Sequence, residues 1–192
     1  LNYSLPYCNL KKNPNIEQTD KLLVLFKGGS NNFPTLLINK EEINKELYSL
    51  KCDFLIVRNY KFVKEGKFNS KILAYELESY KKNYKQFYFL SNSAGSRSCI
   101  HFSNLAEKCF MSGASRLVDK YDYNIIQKNN DKLFFYYGCK KDLDVLDEFE
   151  KLLSVQINKF KNPFYRTQRH GIFCEKNRIN QYVVYLENFI SS

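Results

Sequence analysis

The chain of 192 residues has no tryptophan, no Cys-x-x-Cys pair and no long apolar run. A membrane-spanning helix needs roughly 20 consecutive apolar residues, and no segment supplies them. The lack of closely paired cysteines argues against a zinc ribbon and against a thioredoxin-like redox motif. Arginine is scarce, 6 residues against 24 lysines. Specific readers of phosphates and bases lean on the planar arginine fork, and the basic residues here are spread along the chain instead of gathered in one block. Specific nucleic-acid binding is therefore not expected. There is no internal repeat and no linker, so the length reads as one domain.

What is present is aromatic and basic. Tyr and Phe number 15 and 16, and the hydrophobic fraction of 44% is that of a globular protein. Aromatic rings pack well on a pleated surface, which favours strands. The net charge of +10 suits an anionic partner, such as an acidic membrane surface or a small molecule carrying carboxylates. Lys, Asn, Ile, Tyr and Phe are all abundant, the usage expected of an A/T-rich genome such as that of a malaria-type parasite. Six cysteines, an even number, and a start at Leu1 fit a processed secretory protein with disulfides, extracellular or vacuolar.

Along the chain, residues 1–20 read as an N-terminal arm, 21–160 as the folded body and 161–192 as a C-terminal extension. "KLLVLF" (Lys21–Phe26) is a strand ended by Gly28-Gly29, and "NKEEINKELYSL" (Asn39–Leu50) suggests a short helix. "CDFLIVRNYKFV", "KILAYELESY" and "YKQFYFLS" read as strands, with Leu73, Tyr75 and Leu77 on one face of the second. "SNSAGSRS" is a loop by composition. "YNIIQKNNDKLFFYYGC" (Tyr123–Cys139) reads as a hairpin, "KLLSVQINK" (Lys151–Lys159) as a further strand, and Tyr182, Val183, Leu186, Phe189 and Ile190 as a C-terminal helical stripe. Seven or eight short strands with helices only at the ends predict an antiparallel sandwich or barrel.

The hairpin resembles the second signature of the lipocalins, Tyr-x-Val-Leu-x-Thr-Asp-Tyr-Asp followed by a strand ending Tyr-x-Cys. Tyr123 falls on the first Tyr, Ile125-Ile126 on Val-Leu, Asp131 on the second Asp, and Tyr137-Gly138-Cys139 on the ending. Lys128-Asn129-Asn130 departs from the pattern. The family's Gly-x-Trp signature is missing, and Lys159 stands where its barrel-floor Arg would be. The resemblance implies an all-β, eight-stranded up-and-down barrel with short terminal helices, and disulfides Cys8–Cys139 and Cys52–Cys174. Cys99 and Cys109 then remain to pair with each other.

A small barrel has room for one ligand. The resemblance therefore implies a non-enzymatic carrier of a small hydrophobic molecule: a fatty acid, another lipid, or a tetrapyrrole such as haem. The basic surface favours a ligand bearing a carboxylate. Tyr75, Leu77, Phe87, Phe89, Phe135 and Tyr137 are the candidate pocket walls. No metal site and no resident cofactor are expected. Two other readings stand beside this one. One is a secreted adhesion or interaction domain without a pocket. The other is a ribonuclease of the T2 type, suggested by His170, Gly171 and Cys174 in "QRHGIFC", with His101 as the second histidine.

Overall fold

The computed structural model describes residues 7–26, 38–39, 42–57, 70–113, 120–161 and 179–191. Its strands are β1 (Cys8–Lys11), β2 (Lys21–Phe26), β3 (Ile38–Asn39), β4 (Glu42–Ile43), β5 (Asp53–Val57), β6 (Gln86–Asn92), β7 (Lys108–Ser112), β8 (Leu133–Tyr137) and β9 (Asn158–Lys161). Its α-helices are α1 (Ser70–Tyr80), α2 (Gly95–His101), α3 (Lys120–Asn129), α4 (Lys140–Leu153) and α5 (Ile179–Ser191), and Lys45–Leu50 forms a 3₁₀ helix. Seven strands make one sheet in the order β1-β5-β2-β6-β7-β8-β9, and β3 pairs with β4 separately. Every neighbouring pair in the large sheet is parallel except β1–β5.

A parallel sheet needs crossover connections and is covered on both faces, so its strands are apolar throughout rather than alternating. "LLVLF" of β2 and "DFLIV" of β5 are buried at every position. Successive residues serve opposite faces. Leu22, Val24 and Phe26 pack with Leu73 and Leu77 of α1, Ile126 of α3, and Leu146 and Phe149 of α4. Leu23 and Leu25 pack with Leu47, Leu50 and the α5 stripe Tyr182, Val183, Leu186, Phe189 and Ile190. The C-terminal helix is where the stripe places it.

The antiparallel barrel expected from the sequence is thus replaced by a three-layer α/β fold. The error has an identifiable source. Leu73 and Leu77 are two steps apart in a strand pattern, but also one helical turn apart, and α1 buries both while Tyr75 is 72% exposed. In the Tyr123–Cys139 segment only Leu133–Tyr137 is a strand; Tyr123, Ile125 and Ile126 lie on α3, and Asp131 is exposed in a 3₁₀ turn. Instead of pairing with a hairpin partner, β8 lies between β7 and β9, parallel to both. "KLLSVQINK" splits between the end of α4 and the start of β9.

The disulfide scheme falls with the barrel. Cys8, Cys52, Cys99, Cys109 and Cys139 are free thiols, and Cys174 lies outside the described residues. Cys8 is on β1 and Cys139 follows β8, five strand intervals apart in the sheet, or about 24 Å, far beyond bridging distance. Cys99 on α2 and Cys109 on β7 do meet, as hydrogen-bonded, fully buried thiols rather than a bridge. Burial, and then that contact, holds the Cys109 thiol well above its ordinary pKa. Burial likewise pushes Cys52 up to about 12, so neither is poised as a thiolate nucleophile.

Lys159 belongs to no barrel floor. Its ammonium sits between Asp147 at 2.6 Å and Glu150 of α4, pinning edge strand β9 to the helix layer. Burial lowers its pKa, but the two carboxylates more than reverse that. Lys159→Met removes both contacts and leaves two carboxylates facing each other. The expected cost is about 1 kcal/mol, a fall of roughly 2–4 °C in Tm by calorimetry.

Candidate active site

The chain leaves β2 toward β5 on one side of the sheet, and its later strands add on the other side, beginning with β6. The order therefore reverses between β2 and β6. In open α/β sheets, such a switch point opens a crevice at the carboxyl ends of the strands, where ligands bind. Ser93 stands at that place, immediately after β6 and two residues before α2.

Its backbone is unusual. Three non-glycine residues among those described have positive φ: Lys51 (51°), Ser93 (50°) and Ser154 (51°). Lys51 and Ser154 are the C-caps of Lys45–Leu50 and α4, where left-handed residues are ordinary. Ser93 ends no helix. It is the corner of a sharp strand-to-helix turn, and a serine held there stores strain of about 1–3 kcal/mol. The surroundings hold the corner in place: the Ser93 N–H donates to the Ser112 carbonyl at 2.8 Å, and the Ser93 carbonyl accepts the Ser96 N–H at 3.0 Å.

The local sequence, Ser91-Asn92-Ser93-Ala94-Gly95, fits a Gly-x-Ser-x-Gly nucleophile elbow with its first glycine replaced. Ser91 is small enough for that position, and its buried hydroxyl is satisfied by Ser96 Oγ at 3.2 Å, so the departure leaves no unpaired group there. Gly95 is buried at the start of α2, where the helix comes close to the sheet. This is the candidate segment that composition alone reads as a loop. A serine flanked at two-residue spacing by small residues, just after the apolar run "QFYFL", was the available signal.

A second element lies two strands away. After β8 the chain reads Gly138-Cys139-Lys140-Lys141-Asp142, and Asp142, in the first turn of α4, is only 1% exposed. Its Oδ2 accepts the Gly138 N–H at 3.1 Å, which ties the carboxylate to the carboxyl end of β8, and the helix N-terminus favours its negative charge. Asp144, two residues on, is exposed. Burial raises the pKa of the Cys139 thiol at this N-cap.

The residues expected to line a pocket are not brought together around a cavity. Leu77, Phe87, Phe89 and Phe135 are fully buried in the core under α1–α4, with Phe89 against Phe26 at 5.0 Å between ring centres. Tyr137 is half-buried against the same core, and Tyr75 faces outward. His101 ends α2, at the opposite end of that helix from Ser93, with its ring edge-on to Phe102. His170, like Gly171, lies outside the described residues. Among the described residues, no group of three or more His, Cys, Asp or Glu side chains could hold a metal ion.

No protein-family model matches the chain, and no curated protein matches its sequence. Solved structures do match its fold. The chain is similar to a fungal esterase from Rhizomucor miehei (TM-score 0.51, 12% identity, 96% of this chain and 79% of that one). It is also similar to dipeptidyl peptidase 4 of Porphyromonas gingivalis (TM-score 0.55, 12% identity, 96% of this chain and 33% of that one). A third match is the Bacillus licheniformis lipase BlEst2 in its propeptide form (TM-score 0.51, 11% identity, 94% of this chain and 53% of that one). The chain thus spans about a third and about half of the latter two. At this identity the likeness establishes the fold, which is α/β-hydrolase-like and not that of a lipocalin.

Proposed function

We propose that the chain is a serine hydrolase cleaving an ester or amide bond, with Ser93 as its nucleophile. This reading replaces the non-enzymatic carrier expected from the barrel. The observation that carries it is the strained left-handed Ser93 at the corner between β6 and α2, on the switch point of the sheet. Asp142 is the acid, and His170 is assigned as the base by its place in the chain alone. Ser, then Asp, then His is the order in which this fold supplies its catalytic groups. In the reaction His170 accepts the proton of Ser93 Oγ as that oxygen attacks the acyl carbonyl, and then gives it to the leaving alcohol or amine. Asp142 orients the imidazole and balances its transient charge. Water next attacks the acyl-enzyme, releasing the acid and restoring the serine. The N–H of Ala94, the residue after the nucleophile, is one donor to the developing oxyanion.

The esterase, dipeptidyl peptidase and lipase it resembles support hydrolytic chemistry as the class. A short-chain 4-nitrophenyl ester should be turned over by the purified chain, and a fluorophosphonate should abolish that turnover in a time-dependent way. Turnover that survives the fluorophosphonate, or that a chelator stops instead, would argue against a serine nucleophile.

A further inference from the structure

Among the described residues, two polar atoms beside Ser93 have no partner. Ser112 is 1% exposed and its Oγ makes no hydrogen bond; the buried Oδ1 of Asn92 makes none either. The large majority of buried side-chain polar atoms in folded proteins are paired, so each exception calls for an explanation. These two are neighbours, because Asn92 and Ser112 are register partners at the carboxyl ends of β6 and β7. The same Ser112 accepts the Ser93 N–H through its carbonyl at 2.8 Å, so it is a direct backbone neighbour of the nucleophile.

Alternation along the strands fixes their direction. Leu90 and Phe110, two residues earlier on each strand, belong to the core on the α5 side of the sheet. Asn92 and Ser112 extend that face upward toward the crevice. Ser91 points to the other face, where Ser96 satisfies it. The elbow is therefore satisfied on its helix side and carries two buried, unpaired oxygens on the face away from α2.

We infer that Ser112 and Asn92 are specificity-determining residues that receive an N–H group of the substrate's acyl part, so that the preferred substrates are acylamino esters or amides rather than plain fatty acyl esters. The inference rests on Ser93 being the nucleophile. An Asn carboxamide oxygen can only accept a hydrogen bond, and a serine hydroxyl can accept as well as donate. Both atoms are answered by a donor next to the scissile carbonyl, the position of the N–H in an α-acylamino acyl group. A plain hydrocarbon acyl chain would leave both unpaired, and sites built to pair a polar group reject analogues lacking it far more strongly than apolar pockets reject a missing methylene.

Two 4-nitrophenyl esters of similar size, N-acetylalanine and hexanoate, test this on the full chain, with phosphonylation of Ser93 measured in parallel. The ratio of kcat/KM should favour the acylamino ester by about 100-fold. Ser112→Ala should cut that ratio at least about tenfold, and Ser112→Thr, which keeps the hydroxyl, should retain most of it. A purely structural role for Ser112 would change both esters alike and leave the ratio unmoved. A ratio near one in wild type, or an unchanged ratio in Ser112→Ala, overturns the specificity assignment while phosphonylated Ser93 still stands as nucleophile. Ser93 that is not phosphonylated, with neither ester cleaved, overturns the nucleophile and this assignment together.

Discussion

Replacing Ser93 with alanine is expected to lower kcat/KM for an activated ester by at least about 10³-fold, and the loss should fall on kcat. Alanine deletes the attacking oxygen but leaves the Ala94 N–H in place, so binding and some oxyanion stabilisation persist. Ser93→Gly separates the chemistry from the strain. It is equally inactive, but glycine adopts φ near 50° without the Cβ clash. Relief of a strained left-handed serine, offset by the greater entropy of glycine in the unfolded chain, should leave Ser93→Gly more stable than wild type by about 1 kcal/mol. A stability gain at the residue whose loss abolishes turnover is the mark of strain maintained for function. Equal destabilisation in both variants would mean instead that the serine is a packing residue.

The second large effect is expected at the other end of the sheet. At the amino end of β5, Asp53 Oδ2 accepts the Lys12 ammonium at 2.8 Å and the Tyr84 hydroxyl at 2.5 Å, while Oδ1 accepts the Asn13 N–H at 2.8 Å. Lys12 also reaches the Tyr84 hydroxyl at 2.7 Å, and Asn13 is fastened by its side chain to the Tyr48 carbonyl at 2.8 Å. The knot ties the stretch after β1 to the sheet. Lys12 is 70% exposed at its side chain and can turn to water, but Tyr84 and the Asn13 side of the knot are buried. Asp53→Ala would strand them. The expected loss is about 3 kcal/mol, roughly 6–12 °C in Tm for a domain of this size.

The pH dependence of that loss has a definite sign. Burial alone would raise the Asp53 pKa, but the hydrogen bonds from Lys12, Tyr84 and Asn13 outweigh it and hold the pKa below the usual carboxylate range. A carboxylate with a depressed folded-state pKa contributes stability that is fully present above about pH 4 and disappears as the pH falls through the folded value. In urea titrations, the gap between wild type and Asp53→Ala should be constant from pH 5 to 7 and narrow below about pH 4. A gap that widens on acidification would contradict the ionised knot.

How much of this could be read from the residues follows from their periodicity. β2 was legible because "KLLVLF" is a short apolar run bounded by Gly28-Gly29, and α5 because Tyr182, Val183, Leu186, Phe189 and Ile190 repeat at helical spacing. α1 was not, since Leu73 and Leu77 satisfy both periods and nothing in the sequence says that Tyr75 stays outside. The abundance of Tyr and Phe pointed to strands over helices, which the helices between the strands overturn; a fully buried parallel strand such as β5 hides its partners, because the connections between parallel strands pass through helices. The candidate nucleophile elbow was obscured by Ser91 standing where the pattern has glycine, and Asp142 by a turn whose proposed role depends on its place at the end of β8. His101 and His170 were both visible; the structure places His101 at the far end of α2, while His170 is distinguished only by following Asp142 in chain order.

The position of a covalent label decides whether Ser93 is the nucleophile. After reaction with a fluorophosphonate and digestion, the adduct should map by tandem mass spectrometry to Ser93, one label per chain, and be lost on denaturation before labelling. An adduct on another residue, or a native chain that takes up no label, would contradict the account.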